Sequence, residues 1–253
     1  MKPYWTKRAC CFLLAAWVCL PSLALAGQTP GGESPRPPLQ GGGDFIKGEE
    51  NVPLLAKGGE GRFPEDLFRQ AAELDKQGFL DEAVPAWKKA LDSRLDPKSA
   101  VVARARLSIA HFKLGQFDAA AEQALSLARS EPENFDANFN LGNIMDGLNR
   151  YAEAVPAFQK AVQLRPGEGL AYVGLALSHF GAGQPEQALA ELQKVKELFK
   201  EKKNISWHRD ASLMALQMKN FVQAQYPPSF SDLWLKNNLK VIRETYEKTL
   251  LNP

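Results

Sequence analysis

The sequence predicts an all-α fold, a solenoid of about four helix hairpins with capping helices at its C-terminal end. Three observations carry this. The block Leu80-Asp81-Glu82-Ala83-Val84-Pro85-Ala86-Trp87-Lys88-Lys89-Ala90 recurs 71 residues later as Tyr151-Ala152-Glu153-Ala154-Val155-Pro156-Ala157-Phe158-Gln159-Lys160-Ala161, proline included. From Phe63 onward, paired stretches of apolar residues at helical period follow one another. Each pair is joined by a short turn: Gln77-Gly78-Phe79, Gly115-Gln116-Phe117, Asn149-Arg150-Tyr151 or Gly183-Gln184-Pro185. Glycine and asparagine suit such turns because they accept the left-handed conformation that ends a helix.

Seventy-one residues is two repeats of about 34 plus a three-residue insertion. The first unit runs roughly from Pro64 to Pro97, the second from Val101 to Asn134 and the third from Phe135 to Glu168. The fourth runs from Gly169 into a helix around Lys203, and it lacks a terminal proline, so its second helix is expected to run on. Asp118 and Glu153 fall in the first turn of a second helix, where the helix dipole favours acids. Pro97 lies two residues late and implies a longer junction between units one and two. Pro85 and Pro156 lie near the start of second helices, where a missing N–H is expected to cost little.

These positions resemble the tetratricopeptide repeat family. Its small-residue positions match Ala71, Ser108, Gly142 and Ala176 in first helices, and Ala83, Ala120, Ala154 and Ala188 in second helices. Its large positions match Leu67, Leu141, Leu175, Phe117, Tyr151, Trp87, Phe158 and Leu192, and its terminal proline matches Pro132 and Pro166. Arg104 departs from the pattern, which usually has an aromatic residue or leucine there. The resemblance implies a right-handed superhelix whose first helices line a concave groove for a partner's extended segment or helix.

The first 26 residues read as a secretory signal. Lys2, Lys7 and Arg8 precede an apolar run from Ala9 to Leu20, and Ala24-Leu25-Ala26 offers a cleavage site before Gly27. The run is shorter than the ~20 residues that span a bilayer, so no stable membrane insertion is expected after cleavage. Residues 27–62 are rich in glycine and proline and read as a disordered linker. Its apolar island, Phe45, Ile46, Val52, Leu54 and Leu55, has disorder as the simpler reading and docking on the repeats as the alternative. The repeats then occupy residues 63–203. Residues 204–253 read as a helical cap over the last apolar face, with a helix from Ser206 to Gln225 and another from Ser231 or Asp232.

Composition removes several chemistries. All 3 cysteines, Cys10, Cys11 and Cys19, lie in the signal, so a processed chain has neither a disulfide nor a cysteine nucleophile. The formal charge of +2 comes from that segment, and a near-neutral remainder gives no reason to expect nucleic acid. His111 and His179 share one register and are each followed by phenylalanine, which implies packing near the hairpin contact rather than a metal site. No nucleophile or phosphate-loop motif is present, so neither an enzyme nor a cofactor is expected. Asn204-Ile205-Ser206 fits a glycosylation sequon.

The candidate site is therefore the groove. The residues carried over to it are Phe68 and Arg69 in unit one, Arg106, Ile109 and Phe112 in unit two, Phe139, Asn140 and Asn143 in unit three, and Val173, Leu177 and Phe180 in unit four. Asn140 and Asn143 are expected to offer amides to a peptide backbone, and Asn138 reads as exposed filler. The function expected is an adaptor, periplasmic or secreted, that binds a protein or peptide partner in its groove to support an envelope assembly. The alternative is a chaperone-like holdase for exported clients. Self-association through the apolar groove is a third outcome.

Overall fold

A computed structural model describes residues 63–224, 227–249 and 251. The signal, the linker and its apolar island lie outside the described residues. Among these residues the fold is all-α, with ten helices. They are α1 (Pro64–Gln77), α2 (Leu80–Asp92), α3 (Pro97–Lys113), α4 (Phe117–Ser130), α5 (Phe135–Gly147), α6 (Tyr151–Leu164), α7 (Gly169–Gly181), α8 (Pro185–Glu201), α9 (Ile205–Ala224) and α10 (Pro228–Thr249). Consecutive helices pair as hairpins: α1 with α2, α3 with α4, α5 with α6 and α7 with α8. The hairpins stack, and α9 packs on α8.

The turns follow the sequence closely. Gly78, Gly115, Asn149 and Gly183 all take positive φ, between 59° and 84°. Each is followed by an N–H that reaches back to a carbonyl five residues earlier, as in Gln116 to His111 and Gln184 to His179. The two equivalent histidines clip the same turns. His111 Nδ1 donates to Gln116 Oε1 at 2.5 Å, and His179 Nδ1 donates to Gln184 Oε1 at 2.6 Å.

Small residues let the helices close on large ones. Phe158 of α6 is fully buried between two glycines of successive first helices. A Cβ on Gly142 would lie 2.6 Å from its ring, and a Cβ on Gly174 also 2.6 Å. Trp87 fills the corresponding place in the first hairpin, edge-on to Phe68 with ring centroids 5.1 Å apart.

Three local expectations need correction. Pro97 does not end unit one but opens α3, with Asp96 capping the N–H groups of Lys98 and Ser99. The insertion is thus extra helix, not a longer loop. Pro85 and Pro156 sit at the sixth position of α2 and α6, past the free N–H groups of the first turn. Each therefore removes a helical hydrogen bond. The last helix begins at Pro228, three or four residues before the expected start.

Residues 204–253 do two different things. α9 continues the stack, with Trp207 stacked on Phe199 of α8 at 5.8 Å. α10 does not stay beside α9 at the end of the array. It packs on α5 and α7, against the first helices.

Candidate functional site

The groove lining is built by the first helices, α1, α3, α5 and α7, and α10 lies along most of it. Leu235, Leu239, Ile242 and Tyr246 form one face of α10 at spacings of four, three and four residues, and all are buried. Tyr246 stacks on Phe139 with centroids 4.6 Å apart, and its hydroxyl donates to the Asp136 carbonyl at 3.2 Å. Trp234 meets Phe180 edge-on at 5.6 Å and donates its indole N–H to Gln217 of α9. The Arg243 guanidinium lies 4.7 Å from the Phe112 ring centre. Arg106 closes the far end by donating to the carbonyls of Glu247 and Leu251, at 3.0 and 3.1 Å. The Glu247 carbonyl belongs to the last turn of α10 and the Leu251 carbonyl lies just past its end, where a cation is favoured.

Burying Leu235, Leu239, Ile242, Tyr246 and Leu251 contributes on the order of 8–15 kcal/mol, at 1.5–3 kcal/mol for each side chain. α10 thus shares one core with the helices it covers.

This changes the standing of the groove residues. Ile109, Phe139, Val173 and Leu177 are at most 1% exposed and share one core with α10. Phe112 and Phe180 are half-buried under Arg243 and Trp234. Asn140 is fully buried and donates to Ser108 Oγ at 2.8 Å, tying α5 to α3. Asn143 is buried too. Neither amide is open to a peptide backbone in this arrangement. Asn138 is not exposed filler, since its amide donates to the carbonyls of Pro132 and Asn134. Arg69 remains open, with Phe68 half-buried beside it.

Among the described residues, what stays open is the end of the groove beyond α10. A hollow of about 730 Å³ lies between α1, α3 and the last turns of α10, with Ala72, Asp75, Trp87, Val102 and Arg106 in its lining. A second hollow of about 310 Å³ adjoins it at Phe68 and shares Arg69 and Ala72. Both charge signs line the larger one. Lys113 pairs with Glu247 at 2.5 Å, and Arg106 stands 3.9 Å from Asp75.

Three carboxyls lie under the groove surface. Burial pushes the pKa of Asp75 and Asp136 up, partly offset by Arg106 and Arg165 respectively. Asp146 is pushed well above the usual carboxylate range by burial, with a smaller opposing effect from Ser178, whose hydroxyl donates to it at 2.8 Å. Sequence reasoning missed Asp75 and Asp146, and it assigned Tyr246 to a cap. The signal for α10 was its apolar stripe, but a stripe does not say which surface it covers. Among the described residues no group of three His, Cys, Asp or Glu side chains is arranged to hold a metal. Among them, too, no helix is long and apolar enough to cross a membrane.

The comparisons agree with this architecture. Residues 105–169 and residues 147–205 each match a tetratricopeptide repeat family. The small glutamine-rich tetratricopeptide repeat-containing protein 2 of Mycosarcoma maydis is 34% identical over 96 residues, which are 38% of this chain and 26% of that protein. The chain therefore spans about a quarter of that relative. A crystal structure of MamA aligns with a TM-score of 0.50 at 22% identity, covering 56% of this chain and 81% of that one, a likeness of fold alone. A structure of MamA from AMB-1 aligns with a TM-score of 0.45 at 26% identity, over 54% and 73% of the two chains.

Proposed function

We propose that this tetratricopeptide-repeat protein is an exported adaptor that grips a protein partner at the open mouth of its groove. One observation carries the reading. The mouth between α1, α3 and the end of α10 is a lined hollow of about 730 Å³, within the range of ligand sites, while the rest of the groove is filled. Export rests on the basic, apolar and small-residue order of residues 1–26.

A holdase would need a broad apolar surface. The groove's apolar side chains are covered by α10, which favours the adaptor over the holdase. The partner is then a peptide segment that enters beside α10 and touches it.

The test is capture of the tagged chain with its partner from its own cells after mild cross-linking, beside an Ala72→Trp variant. Ala72 lines both hollows and is only half-buried, so the indole would project into the mouth. One dominant partner, lost in the variant while the melting temperature holds, is expected. Undiminished capture by the variant would remove the mouth from the site. Export is checked on the same material by intact mass, which should lack residues 1–26.

A further inference from the structure

The two ends of the stack are finished differently. At the first end, the outer face of α1 carries Asp66, Gln70, Glu73 and Gln77 at spacings of four, three and four residues, and all four are exposed. At the last end, α9 stands on α8 where a fifth first helix would stand. It turns Ala211, Met214 and Met218 inward, and all three are buried. The opposite face repeats the spacing of α1 with Arg209, Leu213, Leu216 and Asn220. Leu213 is 41% exposed and Leu216 55%, and the exposed Ile205 continues the stripe two turns earlier.

A repeat array needs a polar outer face at its ends to stay soluble. α1 has one, and α9 does not. Each earlier first helix packs against a second helix of its own. The helix that follows α9 crosses to the groove instead. It meets α9 near its own start, where Trp234 donates to Gln217. Among the described residues, the leucine face of α9 is left without a cover.

We infer that this face is an interface between two copies of the chain, paired about a two-fold axis with their α9 helices antiparallel. The occupant follows from what each surface would present. A head-to-tail contact sets Leu213 and Leu216 of one copy on the polar face of α1 of the next, and takes Asp66 and Glu73 out of water against apolar side chains. A two-fold contact sets leucine on leucine. The stripe is symmetrical about the midpoint of Leu213 and Leu216, so Arg209 of each copy falls beside Asn220 of the other, whose amide oxygen can accept from it. The contact is one helix wide and about 30 Å long, which makes the dimer weak, with Kd on the order of 10–100 µM. The mouths, at the α1 ends, stay open in both copies, so a dimer presents two of them.

The test is sedimentation equilibrium of the full chain from micromolar to millimolar concentration. The parent should pass from monomer to dimer and stop there. Leu213→Glu and Leu216→Glu should each weaken the dimer at least about tenfold and melt with the parent, since both side chains lie outside the core. Leu213→Ser repeats the measurement without adding a charge. Leu233→Glu, on the exposed face of α10, should dimerise as the parent does. A monomer throughout, a dimer that the α9 variants leave intact, loss of the dimer in Leu233→Glu, or growth past two copies would each overturn the inference. Partner capture at the mouth can fail while the dimer persists, so the two readings fall separately.

Discussion

The two ends of the groove are made from equivalent helices and have opposite characters. Over α5 and α7, Phe139, Val173 and Leu177 are sealed under α10. Over α1, the equivalent helix face carries Phe68, Arg69 and Ala72 and is open. The difference is set by length. α10 ends at Thr249 and the Leu251 carbonyl just past it accepts from Arg106 of α3, while among the described residues the face of α1 stays open. A repeat surface is thus not a binding site because of its register alone. What the rest of the chain lays across it decides.

Four measurements test this contrast. The largest effect is expected at Tyr246, which joins α10 to α5 by a stacked ring and a hydrogen bond. Tyr246→Ala should cost about 3–5 kcal/mol in urea unfolding of the whole array. A loss confined to α10, with the repeats unchanged, would mean the sealed end is a docked lid and not part of the core. Next is Gly142→Ala, whose new methyl would press on the Phe158 ring. It should destabilise by about 1–3 kcal/mol.

The third measurement is a pH series. In the folded state Asp146 keeps its proton well above the ordinary value of 3.8. Between that value and the raised one, the folded chain holds a proton that the unfolded chain releases. Its contribution to stability is therefore full below about pH 4 and is lost as pH rises. Asp146→Asn should flatten this decline and raise the melting temperature at neutral pH by about 2–4 °C. Melting curves from pH 4 to 8 decide it, and a parent that gains stability with rising pH over that window would refute the assignment. The smallest effect belongs to the open end. Arg69→Ala should change stability by less than about 0.5 kcal/mol in the same unfolding assay, since the residue is exposed and, among the described residues, pairs only with Asp66.

Much of the array was legible because it rests on local rules repeated four times. The left-handed turn positions were visible as Gly78, Gly115, Asn149 and Gly183. The extended second helix of unit four is there as well, in the 17 residues of α8. The site was harder to read for a physical reason. Position along a helix tells which face a residue occupies, but Asn140 and Ser108 meet across 32 residues of chain, and Arg106 and Leu251 across 145. The polar appearance of Asn140 suggested solvent, whereas it marks a buried tie between helices. Asp75 and Asp146 were overlooked because an acid in a helix pattern is normally a solvated one.

The contact between Arg106 and the end of α10 also bears on the order in which the chain is assembled. Repeat arrays usually fold by neighbour-to-neighbour spreading, with little to wait for. Here the segment that seals the apolar floor leaves the ribosome after every hairpin it covers. At ~5–20 residues per second, the stretch from the start of α5 to the end of α10 takes several seconds or longer to synthesise. During that interval Phe139, Val173 and Leu177 face water or whatever escorts the nascent chain. Truncation before α10 would make that interval permanent, turning a finished surface into a sticky one.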